Sequence, residues 1–255
     1  MDRSVIDQFR LDGQVALITG AGSGIGEAYA QAMAEAGADV ACVDIDVFRA
    51  KQIADEVRKL GKRAVAIVAD VSNEADSIRM LEEAVEAFGT VDIAFANAGV
   101  GNEATTLVES TIEQWRRDID VNLTSVYLTA REAAKVMVPN RSGKIIATAS
   151  IMAFRSPAVA ARGQWYAAAK AGVVNLIRAL GVELAEHNIQ VNAIAPGYTR
   201  TGIQGGFLKV RSGTDIERIE SRTPIRRLAE PNEYKGVAVF LASAASDLMT
   251  GFTVA

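Results

Sequence analysis

Tyr166-Ala167-Ala168-Ala169-Lys170 is the stretch whose residue types and spacing carry chemistry most directly. Side chains four apart on a helix share one face, one turn from each other. A phenol, with an ordinary pKa of about 10, is too weak an acid to exchange protons at neutral pH. An ammonium about 4–5 Å away, at an effective dielectric of about 20, would favour the phenolate by roughly 3–4 kcal/mol. The spacing therefore predicts a tyrosine that gives or takes a proton near pH 7. A solvated pair on an alanine-rich helix is the competing reading of these five residues alone.

Other acid–base groups are scarce. The only cysteine, Cys42, lies in an apolar strand pattern, and one cysteine excludes an internal disulfide and any CxxC motif. The only histidine, His187, stands where a helix pattern ends, and no G-x-S-x-G elbow offers it a serine nucleophile. Tyrosine, lysine and the carboxylates remain.

The elements that must position these groups alternate along the chain. Val15-Ala16-Leu17-Ile18 reads as a buried strand, followed by Gly20-Ala21-Gly22-Ser23-Gly24-Ile25-Gly26 and a helix over residues 27–36. A second apolar run, Val40-Ala41-Cys42-Val43, ends at Asp44. Further helices are expected over roughly residues 50–60, 74–88, 112–138 and 164–186, and strands over roughly 64–68, 91–96, 144–148 and 189–194. A helix over about 230–242 and a stub of strand at Phe252-Thr253-Val254 close the pattern. Strands apolar on both faces, alternating with helices, predict a doubly wound parallel α/β sheet in a single domain. Residues 202–229 interrupt this order with glycines among Phe207, Arg211, Arg218 and Arg222, and read either as a substrate lid or as a solvated excursion.

With 49% hydrophobic and 23% charged residues in 255, the chain can bury a large core. A net charge of -4 gives no basic footprint for nucleic acid. No apolar run reaches membrane-spanning length and the start lacks a secretory pattern, so a cytoplasmic protein without a membrane partner is expected.

The glycine cluster falls between a strand and a helix N-terminus, where a phosphate is readily held. It matches neither G-x-G-x-x-G nor the P-loop. Its Gly20-x-Gly22-x-Gly24 also occurs in S-adenosylmethionine methyltransferases. Asp44, closing the second strand, is placed to accept hydrogen bonds from ribose hydroxyls and to repel a 2′-phosphate, which favours NAD over NADP. Arg49 is the nearby cation that weakens that preference, and a helix N-cap is the other use for Asp44.

In order along the chain, Thr19-Gly20-x-x-x-Gly24-Ile25-Gly26, Asp70-Val71, Asn97-Ala98-Gly99, Val121-Asn122, Ser150, Tyr166-x-x-x-Lys170 and Pro196-Gly197-x-x-x-Thr201 resemble the motifs of the short-chain dehydrogenase/reductase family. The likeness runs from about Phe9 to the C-terminus and implies a Rossmann fold. It implies that Tyr166 exchanges the proton at the substrate oxygen, that Lys170 lowers its pKa and binds the nicotinamide ribose, and that Ser150 steadies the developing charge. Asn122, which local sequence alone makes a surface helix residue, would hold a water of a proton relay. NAD would rest on Gly20, Ser23, Gly24, Ile25, Gly26, Asp44, Asp70, Val71, Asn97, Ala98, Gly99, Pro196, Gly197, Thr199 and Thr201, together with Tyr166 and Lys170.

Two departures stand out. The gap from Ser150 to Tyr166 is longer than the family's commonest spacing, with Ser156 as a fallback for Ser150, and Ala96 replaces the first Asn of the Asn-Asn-Ala-Gly segment. The expected activity is NAD-dependent interconversion of a secondary alcohol and a ketone. Candidate pocket residues Met152, Phe154, Arg155, Gln164, Trp165, Phe207 and Arg211 lean toward a small polyol, sugar or hydroxy acid. A 3-oxoacyl thioester reductase is the enzyme alternative; a methyltransferase and a non-catalytic NAD-binding regulator are the others. The helix over 164–186 has few charges and apolar surface beyond one face, which predicts a homo-oligomer, a tetramer or a dimer.

Overall fold

Parallel strands β1 (Val15–Thr19), β2 (Asp39–Asp44), β3 (Ala64–Val68), β4 (Ile93–Ala96), β5 (Gly143–Thr148), β6 (Ile189–Ile194) and β7 (Thr253–Val254) form one sheet in the order β3-β2-β1-β4-β5-β6-β7. The structure, a computed structural model, describes residues 4–101, 105–155, 164–201 and 213–255. The helices are α1 (Gly24–Ala36), α2 (Val47–Lys59), α3 (Glu74–Phe88), α4 (Ile112–Ile119), α5 (Ser125–Asn140), α6 (Gln164–Glu183), α7 (Gly213–Arg222) and α8 (Lys235–Ala242). The single-domain, doubly wound sheet expected from the alternation is the observed architecture.

Period-two side-chain alternation divides the core between the two faces of the sheet. Within β1, Leu17 joins Ile67, Met80, Val126, Ile145 and Val173 on one face. Its neighbours Ala16 and Ile18 join Tyr29, Met33, Val40, Phe95 and Leu241 on the other. Strand β1 pairs with both β2 and β4, so the chain reverses its direction of travel across the sheet at that point. In such sheets the crevice outside the carboxyl ends of the strands, at this reversal, is where ligands bind.

Local signals set most helix ends. Asp46 caps α2 by accepting from the amides of Phe48 and Arg49, and Asn73 does the same for α3. Gly37 ends α1 in a left-handed conformation.

Three boundaries differ from the sequence reading. Helix α1 starts at Gly24 rather than 27, so the last glycines belong to its first turn. The long helix expected over 112–138 is interrupted by a π-turn at Asp120–Thr124, and α5 runs through Pro139 to Asn140, ended by Arg141 at φ 50°. Proline is tolerated there because only the last turn remains to be disturbed. Of the expected excursion, residues 213–222 form α7; residues 202–212, with Phe207 and Arg211, lie outside the described residues, as do Ser156 and the rest of 156–163.

Candidate active site

The crevice is built first from polar residues that end the central strands. Thr19, last in β1, donates its hydroxyl to the Phe95 carbonyl (3.1 Å) and accepts from the amides of Asn97 (2.9 Å) and Ala98 (3.1 Å). The Asn97 side chain donates to the Thr19 carbonyl (3.0 Å) and accepts from Thr148 Oγ1 (2.9 Å) at the end of β5. One amide thus ties β1, β4 and β5 together where the substitution Ala96 leaves no second amide. A Cβ on Gly26 would overlap the Gly20 carbonyl oxygen, so only glycine lets α1 start this close to the strand.

Asp44 is buried and is not a helix cap, since Asp46 fills that role. Its Oδ2 accepts from the Gly22 amide (2.9 Å) and its Oδ1 from the Asp46 amide (3.0 Å). The carboxylate is thereby fixed against the glycine loop. Ser23 heads α1 in extended conformation without spending its hydroxyl on its own helix. Unspent amides and a hydroxyl at a helix start, beside a fixed carboxylate, fit a pyrophosphate next to an adenosine ribose. Ile25 packs partly buried against the core behind the loop. Asp70 accepts from the Ser72 amide (3.0 Å) and hydroxyl (2.7 Å), holding the turn in which Val71 is buried.

Across the crevice, Ser150 follows β5 and its hydroxyl accepts from the Met152 amide (3.1 Å). Helix α6 brings Tyr166 near it, and Ser150 draws the phenol pKa down. Burial is the larger influence, however, and together with the negative charge of Asp118 it holds the phenol above its ordinary value. Lys170 is 3% exposed, and burial alone lowers its pKa to about 8. Its ammonium donates to the Thr148 carbonyl (2.7 Å) and lies 5.7 Å from the centre of the Tyr166 ring. The downward phenol shift expected from the Tyr/Lys spacing is therefore not present in the free protein. Desolvation, with the charge of Asp118, sets the direction of the shift.

The π-turn explains Asn122. Inserting an extra residue per turn swings this side chain inward, where it is fully buried rather than on the surface. Its amide accepts from Val100 N (3.2 Å) and donates to Val100 O (3.2 Å), which fixes its orientation. A Cβ on Gly99 would come 2.9 Å from Asn122 Oδ1 and 3.7 Å from Lys170 Nζ, so Asn122, Gly99 and Lys170 are neighbours.

Beyond β6, the Pro196 carbonyl accepts from Ile151 N (3.1 Å), joining this segment to the Ser150 turn. Thr199 Oγ1 bonds to the Gly197 carbonyl (3.1 Å) and to Tyr234 Oη (2.8 Å). Thr201 faces Gly24 across the start of α1, beside a groove of about 420 Å³ that also touches Glu27 and Arg200. The described motif residues thus lie after the carboxyl ends of β1 to β6, on the π-turn before α5 and on α6, at one end of the sheet. Sequence reasoning missed the bracing roles of Thr19 and Thr148, whose signal is a polar residue closing an otherwise apolar strand. It also missed Asp118, 3% exposed, which nothing in Trp115-Arg116-Arg117-Asp118 distinguishes from a solvated acid.

Comparison with known proteins agrees with this geometry. The model of a family described as enoyl-(acyl carrier protein) reductase matches residues 20–255. The chain is 36% identical to a 2-dehydro-3-deoxy-D-gluconate 5-dehydrogenase of Dickeya dadantii, over 98% of this chain and 96% of that protein. It is 36% identical to a cyclohexanol dehydrogenase of an Acinetobacter species, over 95% and 92% of the two chains. A crystal structure of a short-chain type dehydrogenase/reductase from Mycobacterium marinum superposes with a TM-score of 0.91 at 38% identity, covering 98% and 96%.

Proposed function

Because the chain belongs to the short-chain dehydrogenase/reductase family, and is an enzyme interconverting alcohols and ketones, we propose that it uses NAD(H) on a secondary alcohol of a small polyol, sugar or hydroxy acid. The observation that carries the reading is Lys170, buried one turn from Tyr166 with its ammonium 5.7 Å from the centre of that ring, beside the turn that Ser150 opens. Nicotinamide, when bound, supplies or accepts the hydride. Tyr166 passes the proton to or from the substrate oxygen, and Ser150 donates to that oxygen as charge develops on it. Lys170, Asn122 and Gly99 are neighbours beside Tyr166, where Lys170 would hold the nicotinamide ribose and Asn122 would hold a water that continues the relay. Tyr166 would be drawn toward the phenolate by the positive charge of an oxidised nicotinamide held in this crevice, in the direction opposite to burial.

Solved relatives hold NADH in one case and NADP in another. Preference for NAD here rests on Asp44, fixed by Gly22 and Asp46 where a 2′-phosphate would sit. Arg49 pairs with Asp46 at 3.5 Å and is half-exposed, so it offers that phosphate only a shared cation. The outward residues of α6 include Ala168, Ala171, Ala179 and Val182, a surface suited to pairing with a second copy in a dimer or tetramer. Among the described residues no helix is long and apolar enough to cross a membrane.

The test is binding of NADH and NADPH to the purified protein, followed by nicotinamide absorbance with polyols, sugars, hydroxy acids and 3-oxoacyl thioesters. The expected result is tighter NADH binding and turnover of one of the first three classes. Turnover of thioesters alone moves the assignment to an acyl thioester reductase, and NADH binding without turnover of anything moves it to a regulator.

A further inference from the structure

Arg155 lies five residues after Ser150, on the exposed side of the turn that Ser150 opens. Its guanidinium is 5.7 Å from the centre of the Tyr198 ring, within the range of a cation–π contact. Tyr198 directly follows Pro196-Gly197, and the Ile151–Pro196 hydrogen bond holds the two segments together. Arg155 therefore spans the loops after β5 and β6, at the same end of the sheet as Ser150 and Tyr166. Among the described residues no carboxylate pairs with it. Nearby Arg200, by contrast, is matched by Glu230 (3.1 Å) and Glu220 (3.6 Å).

We propose that Arg155 recognises a carboxylate on the substrate, making the preferred substrate a hydroxy acid and its oxo acid rather than a neutral polyol or alcohol. The proposal rests on the dehydrogenase reading above and narrows it. A planar guanidinium matches a carboxylate with two parallel hydrogen bonds, and stacking on Tyr198 limits the freedom it must lose to do so. Its place in the sheet argues against a 2′-phosphate on the cofactor. Asp44, at the ribose end, closes β2, which is three strands from β5. At about 4.8 Å per strand that separation is roughly 14 Å.

The test is steady-state kinetics with NAD(H) on secondary hydroxy acids, their primary amides and neutral secondary alcohols, for the wild type, Arg155→Met and Arg155→Lys. The wild type should prefer acids to the matched amides. In Arg155→Met, kcat/KM on the acid should fall about 30-fold or more, mainly through KM, with the amide changed less than about threefold. Arg155→Lys should recover part of the loss. An equal loss on acid and amide would reduce Arg155 to a packing residue and overturn the proposal, as would wild-type turnover confined to neutral alcohols, which leaves the dehydrogenase reading intact. Absence of nicotinamide-linked turnover on every compound would overturn that reading and the proposal with it.

Discussion

The two sides of the crevice are built on opposite principles. On the cofactor side, Thr19, Asn97 and Asp44 each have their polar atoms matched by neighbouring backbone or side-chain groups. On the catalytic side, a lysine is 3% exposed with one carbonyl for company, and a phenol is held above its ordinary pKa by burial and a nearby acid. The first arrangement stabilises the fold before any ligand arrives. The second leaves charges poorly solvated, and such strain is tolerated where a bound cofactor and substrate would relieve it.

The largest test of this contrast is Tyr166→Phe. Loss of the proton-transferring hydroxyl should lower kcat by about 10³-fold, roughly 4 kcal/mol, while NADH affinity changes only a few-fold. A kcat near that of the wild type would remove Tyr166 from the chemistry. On the other side, Asn97→Ala leaves the buried Thr148 hydroxyl and Thr19 carbonyl without their partner. It should cost about 3 kcal/mol in unfolding free energy by denaturant titration. If the loss appeared only in catalysis and not in stability, the division between the two sides would fail.

Lys170→Met should behave in the opposite way, abolishing turnover while stabilising the free protein by about 1–2 kcal/mol at pH 7. The sign follows from linkage. The folded pKa of about 8 lies below the ordinary 10.5, so across that window the unfolded chain holds a proton that the folded chain has released. Wild-type stability therefore rises with pH from about 8 to 10.5, and the advantage of the variant should shrink over the same range. A gap independent of pH would mean that burial of the charge is not what the lysine costs. The smallest effect is expected from Asp44→Ala, which should shift the NADH/NADPH affinity ratio about tenfold toward NADPH. An unchanged ratio would leave Asp44 only as a brace for the Gly22 and Asp46 amides.

The pattern of apolar runs made the sheet and most helices legible, because parallel strands buried on both faces leave a continuous signal. The π-turn was not legible. Residues 112–138 read as one helix by periodicity, and only the packing of α4, α5 and α6 around a buried Asn122 shows why the repeat is broken there. Asp118 was hidden for the same reason, its burial being a property of what packs over it rather than of its neighbours in sequence.

Sequence by itself determined the chain's alternating architecture, the glycine cluster between β1 and α1 and the Tyr166/Lys170 pair, since each is written in short-range spacing, whereas Asn122 and Ser150 stood out only through the resemblance to a family. Tertiary structure decided the protonation balance between Tyr166 and Lys170. The i,i+4 spacing sets how close Tyr166 and Lys170 can come, but the exclusion of water from both depends on every element packed around them. That exclusion brings the lysine down to about 8 and pushes the phenol up.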